Sequence, residues 1–150
     1  MEPLPEHLGH KPVFSIPYEQ FDGIYAGKTD VKYLSVGLAQ YNANSVSAKT
    51  MRHTGGRWTR QAEELPLHRV VDLSLFIAQA IYSTESGETE IPAGTFDNQR
   101  TALKVVENEN RSTQEIAQFH NFMEENGDQL KHRLNALADV LIELRESGKI

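Results

Sequence analysis

The sequence predicts an α+β fold: a small antiparallel sheet over about residues 33–61, packed on a central helix over 66–82 and on a C-terminal helical pair. Three observations carry this expectation. Apolar residues alternate with small or polar ones between Tyr33 and Gln61, the period of two that strands show. The run from Pro66 to Tyr82 is apolar at most positions, which suits a buried helix. Leu130, Leu134, Leu137, Leu141 and Leu144 recur at spacings of four and three, one stripe of a helix.

Four of the six prolines fall within the first 17 residues, and this favours an extended, partly mobile arm over about 1–17 ahead of a single domain spanning 1–150. His7 and His10 would lie in it. In the first strand Leu34, Val36 and Leu38 share a face, and Asn42-Ala43-Asn44 supplies the turn into a second, Val46 to His53. Gly55-Gly56 then suits a two-residue hairpin turn, because its central residues need positive φ. That turn pairs His53 with Trp58 and Thr54 with Arg57. Lys49, Met51, His53, Trp58 and Arg60 then share one face, while Thr50, Arg52, Thr54, Arg57, Thr59 and Gln61 share the other. The Met51 and Trp58 face is the one expected to meet a helix or a ligand.

Pro66 fits the first turn of the central helix. Its polar exceptions, His68, Asp72 and Gln79, form one stripe with Leu75 and Phe76, and that stripe requires hydrogen-bonding partners. Residues 83–99, rich in Ser, Thr, Gly and Glu, read as a long loop, and residues 101–108 are left unassigned between helix and strand. Ser112 and Glu115 have the spacing of a capping box. Asn126-Gly127-Asp128 breaks or bends the helix that follows, and Gly148 is a C-cap for the last one. The leucine stripe admits two readings: packing within the helical pair, or a homo-oligomer seam through Leu130, Leu134, Leu137, Leu141 and Leu144.

A chain of 150 residues can bury roughly two-thirds of its unfolded surface, so a core forms without staples. The absence of cysteine excludes disulfides, thiolate metal sites and thiol nucleophiles. A net charge of −6 argues against long nucleic acids, which require a basic footprint. No apolar run reaches the ~20 residues of a membrane span, and MEPLPEHLGHKPVF lacks the features of a secretory signal. A soluble, cytoplasmic protein is the expectation. The charge is uneven: Lys28 to Arg69 holds seven basic and three acidic residues, a local excess that would draw a small anion.

The segment RHTGGRWTRQAEELPLHR, residues 52–69, concentrates the chemistry. Arg52, Arg57, Arg60 and Arg69, with Lys49, suit capture of phosphate or carboxylate. Trp58 offers a ring for stacking. The alternative is that Glu63, Glu64 and Asp72 neutralise these arginines in a structural network. His68 and Asp72 are one helical turn apart, and with His53 they are the candidate acid–base residues, against the plainer reading of a buried His–Asp hydrogen bond. His53, His68, Glu63, Glu64 and Asp72 match no zinc spacing, so no metal is expected, and no cofactor motif such as GxxxxGK[ST] or GxGxxG is present.

The succession Leu34-Ser35, Gly37-Leu38-Ala39-Gln40, Ser47-Ala48-Lys49, Arg52-His53-Thr54-Gly55, Trp58, Arg60-Gln61 and Glu63-Glu64-Leu65-Pro66-Leu67-His68-Arg69 resembles a family of small uncharacterised bacterial proteins, a domain of unknown function. The resemblance covers about Tyr25 to Leu73 and implies no activity. From the residues themselves the leading expectation is a binding protein for a small anionic, nucleotide-like ligand, in a sequestering or sensing role. Trp58, Arg60, His53, His68, Arg69, Arg52, Arg57 and Lys49 are the candidate contacts. Two alternatives stand beside it: a small hydrolase or phosphodiesterase using His68, Asp72 and His53, and a protein-interaction module built on the C-terminal helices.

Overall fold

The computed structural model describes residues 2–59 and 67–150, with Ile24 and Leu67 by their backbone alone. The chain is α+β. Strands β1 (Lys11–Pro17), β2 (Val31–Leu38), β3 (Val46–Thr54) and β4 (Arg57–Trp58) form an antiparallel meander in that order. Helix α1 (Leu67–Ser86) follows. A two-stranded ribbon comes next, β5 (Thr89–Ile91) and β6 (Leu103–Val105), and then the helical pair α2 (Thr113–Glu125) and α3 (Gly127–Glu146).

Pairing sets the two faces of the sheet. Phe14 lies opposite Val36, Ile16 opposite Leu34, and Leu34 in turn opposite Thr50, so the apolar side of β2 shares a face with Thr50. Phe76 and Ala80 of α1 and Phe119 of α2 join that face in the main core. The helices therefore cover the face opposite to the one expected. Gly37 is required where β1 crosses β2, since a Cβ there would sit 2.1 Å from the Lys11 carbonyl oxygen.

The Met51 face is covered by the N-terminal segment. Leu8 and Met51 are fully buried yet lie outside the main core cluster, so they form a second, smaller apolar layer. Tyr33 donates to the Glu2 carbonyl at 2.8 Å, and Glu6 pairs with Arg111 just ahead of α2. His10 is buried, with Nε2 2.9 Å from Ser35 Oγ and Nδ1 3.1 Å from Ser47 Oγ. The expected partly mobile arm is thus a strand with an anchored segment before it. Its prolines mislead because Pro12 and Pro17 sit inside β1, which is extended and at the edge of the sheet, where proline is tolerated.

Helix α1 also departs from expectation. It runs to Ser86, with the Thr84 and Ser86 hydroxyls turned back onto the carbonyls of Ile81 and Tyr82, and Gly87 at φ +91° ends it. It is not enclosed on all sides, since Val71 and Tyr82 are 65% and 61% exposed. The inward stripe holds Arg69, Phe76, Ala80 and Ser83, together with the polar residues that require partners. They have them: His68 meets Asp22, Asp72 accepts from Tyr18, and Gln79 accepts from Thr89. Residues 83–99, expected as loop, hold β5, and the unassigned 101–108 hold β6; the connection between them is organised by buried Gln99. Its amide donates to the Ile91 and Thr101 carbonyls and accepts from the Phe96 amide. The capping box at Ser112 and Glu115 forms as expected, and Gly148, at φ +73°, closes α3.

Burial, aided by the positive charge of Lys49, lowers the pKa of His10 from 6.5 to about 4. The unfolded chain therefore binds the extra proton between those values, so stability falls as pH drops from 6.5 towards 4. The expected loss is on the order of 3 kcal/mol. Urea midpoints measured from pH 7 to pH 4 check this, and a flat profile over that range contradicts a buried neutral His10.

Candidate functional site

Two clusters emerge, joined through the loop 22–30. The first sits at the start of α1. Asp22 has no exposed surface and receives Arg69 in a two-pronged grip, Nη2 at 2.6 Å and Nε at 3.2 Å. His68 adds Nε2 at 2.8 Å, and Thr29 donates its hydroxyl. Burial pushes the Asp22 carboxyl upward, but these donors outweigh it and hold its pKa below the ordinary value. Gly23, at φ +54°, lets the chain turn here, and a Cβ on it would meet the His68 ring at 3.0 Å. Beside them Tyr18 donates to Asp72 at 2.5 Å. Both groups titrate above their ordinary range, chiefly through burial.

The second cluster is the β3–β4 hairpin. Gly55 and Gly56 both have positive φ, and His53 pairs with Trp58 and Thr54 with Arg57, the register expected from Gly-Gly. The His53 and Trp58 rings lie 5.1 Å apart edge to face, and Tyr33 lies 6.2 Å from Trp58 on the same side. His7, Leu8, Thr54, Gly56, Arg57, Trp58 and Thr59 line a pocket of about 700 Å³. Lys49 reaches the Thr59 carbonyl at 3.4 Å. Asp30 braces the hairpin from behind: it takes Arg52 Nε at 2.8 Å, the Thr54 hydroxyl, and through its carbonyl the His53 amide.

The candidate contacts thus divide. Trp58, His53, Arg57 and, through Thr59, Lys49 gather at the hairpin, whereas His68 and Arg69 are held on Asp22 and Arg52 on Asp30. Arg60, Glu63, Glu64 and Pro66 lie outside the described residues. The expected His68–Asp72 hydrogen bond does not form, because each has a closer partner from the segment before β2. Sequence reasoning missed Tyr18, Asp22, Thr29 and Asp30, and set His7 aside. The only local signal was Asp22-Gly23, a turn dipeptide; its pairing with His68 spans 46 positions.

Chemically, the first cluster is a satisfied buried ion network with one imidazole edge left for solvent. The second is a concave mixed surface that includes, among the described residues, one indole, one guanidinium, one imidazole and two threonines. Among the described residues no three His, Asp or Glu side chains are grouped to hold a metal ion, and no helix is long and apolar enough to cross a membrane. The chain is therefore an α+β protein whose hairpin presents the pocket. It belongs to a family of unknown function, DUF6530, whose model matches residues 1–146. Comparison with curated proteins and with solved structures found no match.

Removing one partner of a buried ion pair leaves the other uncompensated, so Asp22→Ala should cost roughly 3–5 kcal/mol of stability. Chemical denaturation measures it, and a loss under about 1 kcal/mol would show that Arg69 finds solvent or another acceptor.

Proposed function

We propose that the protein binds a small anionic, nucleotide-like ligand in the hairpin pocket, in a sequestering or sensing role. The observation that supports this reading is the joint lining of one concavity by Trp58, Arg57, His7, Thr54 and Thr59. Its volume falls within the ~300–1,000 Å³ of small-molecule sites. Arg57 is exposed and supplies a fixed positive charge with a forked donor set for phosphate or carboxylate. Trp58, half-buried against His53 and Tyr33, keeps an indole surface for a planar group. The Gly56 backbone adds a neutral hydrogen-bonding group that orients without repelling an anion. Compared with the broad set expected from sequence, this reading moves the charge from Arg52 and Arg69 to Arg57, with Lys49 at the edge.

Trp58 is the only tryptophan, so its fluorescence reports the pocket directly. Nucleoside mono-, di- and triphosphates, with inorganic phosphate alone as the comparison, should quench it and raise the melting temperature. Arg57→Ala should weaken binding about 10- to 100-fold, the loss of one charge-assisted contact. No quenching and no thermal shift with any of these compounds would refute the proposal.

A second reading, a small hydrolase or phosphodiesterase, is favoured by the fixed imidazole of His68. Its Nε2 is held 2.8 Å from buried Asp22, which fixes a ring that is 32% exposed. The test is turnover of a chromogenic phosphodiester by the wild type, abolished in His68→Ala with the unfolding transition retained. Equal turnover in the variant removes His68 from any mechanism.

A further inference from the structure

Helix α3 has no buried residue, although it carries the leucine stripe. Leu137, Val140, Leu141 and Ile142 are 42–53% exposed. Its first turns sit differently: Leu130 and Leu134 line a groove of about 420 Å³, shared with Ile81 of α1 and Met123 of α2. That groove continues inward as an apolar cleft of about 230 Å³ reaching Phe119. One apolar stripe thus starts beside an open groove and ends on an uncovered helix.

We propose that two copies of the chain associate antiparallel through α3. The C-terminal half of each helix would lie along the N-terminal half of its partner's, over the adjoining groove. The spacing of four and three makes Leu130, Leu137 and Leu144 one core position of a heptad and Leu134 and Leu141 the other. Antiparallel packing sets one against the other, Leu137 on the partner's Leu141 and Leu134 on the partner's Leu144. The two-fold axis then passes at the level of Asp139, and Ala138 and Val140 flank the seam there. Each of these meets its own copy across the axis, and both are apolar, so no like charges meet there.

The groove rim carries Glu85, Glu124 and Asp128, against Lys131 and His120. In an antiparallel pair Lys149 of the α3 tip comes level with the partner's Asp128 and Gln129, while Glu143 and Glu146 balance the tip's two cations and Arg145 lies beside the partner's Lys131. Opposed macrodipoles favour this direction, each negative helix end lying near a positive one. A parallel pair would leave the groove unfilled and the tips against each other. A helix of 20 residues is about 30 Å long, and pairing along it, with the groove filled, reaches the ~1,000 Å² floor of specific interfaces. This inference is independent of the hairpin pocket, which lies on other elements.

Light scattering on the full chain should give a dimer, and Leu141→Glu a monomer that still unfolds cooperatively. A wild-type chain that is monomeric at every concentration, or a Leu141→Glu chain that stays dimeric, overturns the proposal. Direction is tested separately, using the absence of native cysteine. Val140→Cys, beside the axis, should be joined to its copy by a short bis-maleimide. Arg133→Cys should not, because its copies would be ~18 Å apart along the helices. Equal crosslinking of the two variants would mean a parallel pair and overturn the antiparallel arrangement.

Discussion

The buried carboxylate of Asp22 is the constraint on which the placement of the other elements depends. An ionised carboxylate with no exposed surface is costly unless its lone pairs are filled, and here Arg69, His68 and Thr29 fill them. Satisfying that one group fixes the first turn of α1 against the segment between β1 and β2. With α1 fixed there, Phe76 and Ala80 fall on the apolar side of the sheet. The same segment continues to Asp30, which braces Arg52 and Thr54 in the hairpin. One short stretch of chain therefore aligns both the helix and the hairpin, and its acids are neutralised by the two arginines that would otherwise compete for a ligand.

What was legible in the sequence follows from range. The hairpin register came from Gly55-Gly56, the cap of α2 from Ser112 and Glu115, and the end of α3 from Gly148. Each is a local backbone requirement, and each formed. The polar stripe of α1 was also legible as a demand for partners. Their identity was not, because Asp22, Tyr18 and Thr89 carry no periodicity that marks them. The error over α1 has a related cause: hydrophobic count suggested enclosure, but the inward stripe is partly polar and Val71 and Tyr82 face outward. Here pairing chemistry, and not apolar content alone, chose the buried face.

The same logic explains the N-terminal segment. Four early prolines describe a backbone that is extended and short of donors, which fits an anchored edge strand as well as a loose arm. What decides between them is long-range: Glu6 with Arg111, His10 with Ser35 and Ser47, and the Asn108 amide on the Val13 carbonyl at 2.7 Å. Those contacts place His7 and Leu8 at the hairpin, so the candidate site includes residues that composition had assigned to the periphery.

That placement couples the pocket to local stability. One wall comes from residues 7 and 8, the other from the hairpin 54–59, and only docking of the first segment onto Met51 brings them together. Peeling away the segment ahead of β1 would remove one wall of the pocket, and none of its residues belongs to the main core cluster. By linkage, a molecule held between the two walls suppresses that opening, and a change that loosens the segment weakens the grip on the molecule. The N-terminal segment is thus a wall of the pocket, and the shape of the pocket stands or falls with its docking.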